Sequence, residues 1–363
     1  MTYPVAFVAP LPPPVHGFSN ICAAMLELLR AKCSVRLFDR APRVSNRWYA
    51  VLRQLVMPLA FFVWAVRHPT GRLYLALSGG AGQLFDWPYV LIGRLLGRCI
   101  FVHHHSFAYI NTPSMLSRLL FGSLRCQIHI VLSVRMGQEL VRIYGLNSAN
   151  VRVISNAAFF AGHTQPAERP HNADAPISLG YLSNVSVEKG IVEFFAVLEE
   201  LRRLGVAYKA QIAGPVAPGA QAIFSGLLTS SHNTTYCGAL YDEAKADFYN
   251  SVDVLLFPTD YANEAEPLVI HEAIRSGVHV IACQRGAIGD ILANEAGLVV
   301  SKPDFTPSAV RLICALDADR FELKRVQRAS VEQATRMRDA AGGHLSAMLD
   351  EIADAADGSL QTC

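Results

Sequence analysis

VDVLLFPTDYANEAEPLVIHEAIRSGVHVIAC, residues 252–283, carries the reading of the fold. VDVLLF is an apolar run of strand length that ends at Phe257-Pro258, and a polar loop with Glu264 and Glu266 follows it. Pro267 suits a first helical turn, where its missing N–H would be unpaired anyway, and the helix should stop near Gly277 before a second strand, VHVIAC. The unpaired amides at such a helix start favour a diphosphate. Glu264 precedes the helix and Glu272 lies inside it, so the two are not an acid/base pair on one helical face. Each is better placed to contact a different hydroxylated part of one long ligand.

The same alternation extends in both directions. Strands are expected near VAFVAP, SVRLFD, RLYLAL, CIFVHH, IHIVLS and VRVIS, and again near PISLGYLS, AYKAQIAGP, NTTYCG, VDVLLFP, VHVIAC and GLVVS, with turns or helices between them. Two doubly wound α/β domains follow, over 1–165 and 175–340, joined by the polar linker HTQPAERPHNADAP. A last helical segment over 341–363 is free to cross back to the first domain. In such folds ligands sit at the carboxyl ends of the strands, so a cleft between two facing domains is the expected site.

Composition agrees with two real cores: of 363 residues 52% are apolar and 17% charged, which excludes a disordered chain. The eight cysteines show no metal-ligand spacing, and TYPVAFVAP has no basic region before it, so reduced thiols and a cytoplasmic protein without a targeting peptide are expected. Gly-x-Gly-x-x-Gly is absent, which argues against a dinucleotide oxidoreductase. Residues 1–170 hold 17 basic and 5 acidic side chains (+12) and the remainder 15 and 25 (−10). A basic first half suits a polyanion, a phosphorylated acceptor or an anionic lipid surface. In WYAVLRQLVMPLAFFVWAV, residues 48–66, the uninterrupted apolar part, Leu55 to Val66, is shorter than the ~20 residues that cross a bilayer and carries Pro58 near its start; the stretch reads as a buried helix or, flanked by Arg43, Arg47, Arg53 and Arg67, as an interfacial one.

Glu264, seven residues and Glu272, with FPT before and EA after, resemble the Glu-x7-Glu signature of the family 4 retaining glycosyltransferases. GYLSNVSVEKGIVEFFAVLEEL, residues 180–201, is similar to that family's strand, loop and Lys-Gly helix start, and IAGP and YCGALYDEAKADFYNSVDV also resemble it. The resemblance implies a GT-B fold, two Rossmann-like domains facing across a cleft. It implies that Glu264 meets the donor sugar, Glu272 the ribose and Lys189 the β-phosphate. Backbone amides around Glu266, Leu268 and Val269 would face the diphosphate, Ser183 and Asn184 would belong to the donor site, and Gly238 and Leu240 would lie beside the nucleobase. Where many members have Gly-Phe-Gly after the first Glu, this chain has Ala265-Glu266-Pro267, and Pro267 has no amide to give.

In the first domain, His16-Gly17-Phe18-Ser19 lies between the first strand and helix, where Gly17 would let the backbone approach a ligand. His103, His104 and His105 alternate across a strand and cannot all ligate one ion. The resemblance points to His105 as the histidine near the transferred sugar. SGGAG, residues 78–82, is a tight turn or a ligand turn. His271-Glu272 lacks the second histidine of a zinc helix, and Asp317-Ala318-Asp319 falls beyond the last strands, so no catalytic metal and no cofactor are expected.

The resulting expectation is a retaining, metal-independent glycosyltransferase taking a UDP- or GDP-linked sugar. Its acceptor would be a saccharide, polyprenyl-linked, in cell-surface polysaccharide synthesis, reached from the cytoplasm at an anionic membrane surface; no nucleic acid is expected. A nucleotide-sugar epimerase on the same fold and a catalytically silent sugar-nucleotide-binding subunit stand as rivals.

Overall fold

The computed structural model describes residues 2–13, 15–41, 47–160 and 175–354, with 47–50 described by backbone alone. Nearly all of the expected linker, Arg43 and residues 355–363 lie outside the described residues. The chain divides into two compact units, Met1–Phe160 with Arg338–Cys363, and Ala161–Met337.

In the first unit six short runs form a parallel sheet: β1 Val5–Ala9, β2 Val35–Asp39, β3 Arg72–Leu77, β4 Ile100–His104, β5 Ile128–Val131 and β6 Val151–Val153, in the order β2-β1-β3-β4-β5-β6. Between them run α1 Gly17–Arg30, α2 Arg47–Arg67, α3 Gln83–Leu95, α4 Ala108–Asn111, α5 Met115–Leu124 and α6 Val134–Tyr144. The strands β1, β3 and β4 are buried throughout, as strands covered on both faces must be.

The second unit holds β7 Ile177–Leu182, α7 Ile191–Arg203, β8 Tyr208–Ala213, α8 Gln221–Ser230, β9 Thr234–Tyr236, α9 Asp242–Ser251, β10 Val254–Phe257, α10 Leu268–Arg275, β11 His279–Cys283, α11 Ile288–Ile291, β12 Gly297–Val300 and α12 Phe305–Ala318. Its sheet order is β12-β11-β10-β7-β8-β9, all parallel. The chain therefore reverses its direction of travel across the sheet between the neighbours β7 and β10, where Leu179 registers with Val254 and Gly180 with Leu255. That switch point is the ligand crevice of a doubly wound sheet.

The last helix, α13 Arg320–Ala353, belongs to the second unit up to Met337 and to the first from Arg338. Leu345, Met348, Leu349 and Ile352 are buried in the first core with α1, and Arg152 pairs with Glu351 at 2.9 Å. This redistributes the charge. Residues 1–160 hold 16 basic and 4 acidic side chains and 338–363 hold 1 and 5, so the first unit is +8 and the second −6, a smaller contrast than the split at residue 170 gives.

The buried reading of residues 48–66 is corrected. Within α2, Pro58, Phe61 and Ala65 face inward, whereas Leu52, Val56, Leu59, Val63 and Val66 form an exposed stripe. An apolar run without a polar face has no sequence signal for which side packs. Arg53, read as a flanking surface cation, instead bonds the Ala41 carbonyl at 3.0 Å and the Asp39 carbonyl at 2.6 Å.

Candidate active site

The loops after β7 and β10 are locked together before any side chain is considered. The Asp260 amide donates to the Glu188 carbonyl at 2.8 Å. Gly190 sits at φ +82°, and a Cβ there would lie 2.2 Å from the Pro258 carbonyl oxygen, so only glycine admits this approach. Lys189 is thereby held opposite the second loop. Its Nζ lies 2.5 Å from Glu264 Oε2 and 4.3 Å from the centre of the Tyr261 ring. Buried Thr259 hydrogen-bonds the same carboxylate at 3.4 Å.

The rest of the Glu264 loop is fixed in its turn. The Ala287 amide donates to the Ala265 carbonyl at 2.8 Å, and Gly286 (φ +47°) leaves no room for a Cβ against Glu264 and Ala265. The side chain of Glu266 points inward and pairs with buried His271 at 3.0 Å. The Ala-Glu-Pro departure from the family pattern thus has a structural use: a polar pair ties the loop to α10. Pro267 is the N-cap of that helix, so Leu268 and Val269 supply its first amides, which have no partner one turn earlier.

Glu272, one turn further into α10, meets two residues that the sequence reading overlooks. Lys245 Nζ lies 2.5 Å from Glu272 Oε2, and the Tyr249 hydroxyl donates to the same oxygen at 2.9 Å and lies 3.2 Å from the Val269 carbonyl. Lys245 and Tyr249 are four apart on α9 and so share a face. Burial, with the Glu272 charge second, holds the Tyr249 hydroxyl protonated well above its ordinary range.

Ser183 and Gly238 meet at a third point. The Gly214 amide donates to the Gly238 carbonyl at 2.7 Å, while the Ser183 carbonyl packs where a Gly214 side chain would stand. Asn184 is exposed, and Leu240 packs partly buried on the core beneath α10. Lys189 and Glu264 are therefore in direct contact, Glu272 has its own cation, and Ser183 and Gly238 flank the end of β8.

In the first unit His16 proves to be the N-cap of α1: its Nδ1 accepts from the Ser19 amide and Ser19 Oγ from the His16 amide, each at 3.1 Å. Gly17 is exposed at the first position of that helix. His105 stands just past β4, its ring 4.6 Å from Phe18 and 4.0 Å from His103. Its neighbours on the other side of the strand form a directional chain. Leu124 O can only accept, so His129 Nε2 carries a proton; His129 Nδ1 accepts from His104 Nε2 at 3.0 Å, and His104 Nδ1 from the Tyr109 hydroxyl at 2.8 Å. Burial lowers His103 to about 3 and His129 to about 4. Burial, then the nearby imidazoles, holds His105 neutral as well. Among the described residues, no three His, Cys, Asp or Glu side chains gather as around a metal ion. Asp317 pairs with Arg320 at 2.6 Å, and Asp319 caps α13 through the Phe321 and Glu322 amides.

In this second unit, a doubly wound sheet with carboxylates and lysines at its switch point, residues 176–318 match the family model for glycosyl transferases group 1. Among curated proteins the chain is similar to the sulfoquinovosyl transferase of Arabidopsis thaliana, with 23% identity over 204 residues, 54% of this chain and 38% of that protein. It is also similar to the glycogen synthase of Mycobacterium tuberculosis, with 26% identity over 290 residues, 75% of this chain and 63% of that one. The chain thus spans less than two thirds of either relative. The crystal structure of Anabaena HepE with UDP matches at a TM-score of 0.72 and 14% identity, covering 96% of this chain and all of that one. Sucrose-phosphate synthase from Thermosynechococcus elongatus matches at 0.71 and 17%, over 96% and 99%. Identities this low bear on fold alone, and the fold is GT-B: two Rossmann-like domains.

Proposed function

We propose that this protein is a retaining, metal-independent glycosyltransferase that moves a sugar from a nucleoside diphosphate, uridine or guanosine, to an acceptor hydroxyl. The observation that carries the reading is the contact of Lys189 with Glu264 at the β7/β10 switch point, beside the start of α10. A long donor fits the spacing of the groups. Its ribose meets Glu272, its diphosphate the amides of Leu268 and Val269 with Lys189, and its sugar hydroxyls Glu264. Without donor, Lys189 and Glu264 neutralise each other; a bound diphosphate competes for the ammonium and leaves the carboxylate to the sugar.

In the reaction the acceptor oxygen forms a bond to the anomeric carbon on the face that the leaving group vacates. The bond from that carbon to the β-phosphate oxygen breaks, and the diphosphate keeps the electron pair. The acceptor proton passes to a phosphate oxygen, so no protein base is needed. Lys189 and the helix amides stabilise the charge that grows on the diphosphate, and His105, neutral, positions the sugar or acceptor. The acceptor is a lipid-linked saccharide of cell-surface polysaccharide synthesis, met at the inner face of an anionic membrane. The basic first unit supports that part of the reading.

Thermal shift with UDP-, GDP- and ADP-sugars selects the donor, since a ligand at about a hundred times its Kd adds about 2.7 kcal/mol to the folded state. Proton NMR of the product then reads the anomer. Retention supports the proposal and inversion overturns the mechanism. Conversion of donor alone into another sugar favours an epimerase, and binding without either reaction favours a silent subunit.

A further inference from the structure

The lipid-facing reading acquires a definite surface when the exposed side chains of the first unit are followed across helices. α3 packs on both α2 and α5, so the three form a continuous layer. Each presents an outward apolar stripe at helical spacing: Leu52, Val56, Leu59, Val63 and Val66 on α2; Leu84, Leu91 and Leu95 on α3; Met115 and Leu119 on α5. Leu59 is 64% exposed, Leu95 84% and Met115 74%, values far beyond those of leucines and methionines that serve a core. Scattered apolar side chains on a surface need no explanation, but aligned stripes on three adjoining helices do.

Charge decides what covers them. Between Asp39 and Glu139 the chain carries eleven arginines and a single carboxylate, Asp86. Asp86 is fully buried and paired with Arg40, so it contributes no negative charge to the surface. Arg67 at the end of α2, Arg94 on α3, and Arg118 and Arg125 on and just after α5 are exposed. Glu139, on α6 beside α5, is answered by Arg142 at 2.6 Å. An apolar layer edged by arginines, with no exposed acid among its helices, is complementary to an anionic lipid surface. Among the described residues, no helix is long and apolar enough to cross a membrane.

We propose that the α2–α3–α5 layer is the face by which the protein docks on anionic membrane, its three stripes entering the headgroup region together. This rests on the lipid-acceptor reading above and extends it well beyond the segment 48–66. Docking through three helices spreads the binding over α3 and α5, which the sequence gives no reason to connect with α2.

Co-sedimentation of the full chain with vesicles, phosphatidylcholine alone or mixed equally with phosphatidylglycerol, is the test. The wild type should bind the mixed vesicles, and salt should weaken it. Leu95→Glu and Leu119→Glu, neither on α2, should each lower partitioning about tenfold, the loss expected when one leucine can no longer leave water. Met115→Glu serves if either variant fails to give a wild-type melting curve. Wild-type binding with unchanged binding of the α3 and α5 variants overturns the proposed face and leaves the lipid reading in place. No binding of the wild type at low salt overturns both. A dimer in vesicle-free buffer that Leu95→Glu makes monomeric assigns the face to a second copy and overturns the membrane proposal.

Discussion

Lys189 and Glu264 stand 75 residues apart in the chain and 2.5 Å apart in the fold. Neither is placed by its own loop alone. The hydrogen bond from Asp260 to Glu188 and the close approach of Gly190 to Pro258 set the loops, and the side chains then have little choice. A charged pair held this way is preorganised for a ligand that offers an anion to one member and hydroxyls to the other.

Removing the cation should therefore cost chemistry more than folding. Lys189→Met is expected to lower turnover by about two to three orders of magnitude, the range seen when one group that stabilises transition-state charge is lost. Glu264→Gln should retain the affinity for nucleoside diphosphate while turnover falls. Steady-state kinetics with calorimetry of the product complex separates the two; full turnover by Glu264→Gln would remove its role on the sugar.

Lys245 is expected to act through Glu272. Lys245→Met should weaken nucleoside and nucleoside diphosphate alike, about tenfold, because both use the ribose end. The double variant with Glu272→Gln should lose little more than the worse single, as for residues in one network. Additive losses would show that Lys245 works independently.

Gly190 gives a prediction with a built-in control. Gly190→Ala places a Cβ 2.2 Å from the Pro258 carbonyl oxygen at φ +82°, whereas Gly205 (φ +75°) has nothing within 4 Å. Gly205→Ala should cost about 1 kcal/mol for the left-handed backbone alone, and Gly190→Ala more than about 2 kcal/mol. Urea unfolding of both, with donor affinity measured in parallel, checks it; equal losses would mean that the loops are not in contact there.

Much of this site is legible in the sequence. Strand, loop and helix from Val252 to Arg275 are written in apolar runs, a proline and a glycine, and the Glu pair stands out by its spacing. Lys245 is not legible: in DEAKADFYNS it looks like any solvated helical lysine, and only the meeting of α9 with α10 gives it a partner. His16 looks like part of a ligand turn and is a helix cap, because the partner that defines a cap, Ser19, is also an ordinary helix residue. The face of α2 is hidden for another reason. With valine, leucine and phenylalanine nearly all round, pattern cannot say which stripe meets the core.

The buried imidazoles make stability depend on pH. His103 at about 3 and His129 at about 4, both lowered by burial, stay neutral in the fold and take protons once unfolded. Their folded values lie below the unfolded one near 6.5, so this stability is whole above about pH 6.5 and is lost as pH falls toward about 4 for His129 and about 3 for His103. Each such histidine contributes a slope of up to about 1.4 kcal/mol per pH unit in that window. Urea unfolding at neutral pH and near pH 5 should show the loss, and His103→Phe should make it shallower; an unchanged slope would mean His103 protonates in the fold.

The central claim is that the β7/β10 switch point binds a nucleoside diphosphate with Lys189 on its phosphates. Calorimetric titration of UDP, GDP and ADP, each against its nucleoside, into the wild type and Lys189→Met tests this most directly. One diphosphate should bind the wild type at one site per chain and far more tightly than its nucleoside, and Lys189→Met should erase most of that difference while leaving nucleoside affinity alone. A wild type that binds none of the three, or a Lys189→Met protein that keeps the full preference for diphosphate over nucleoside, would contradict it.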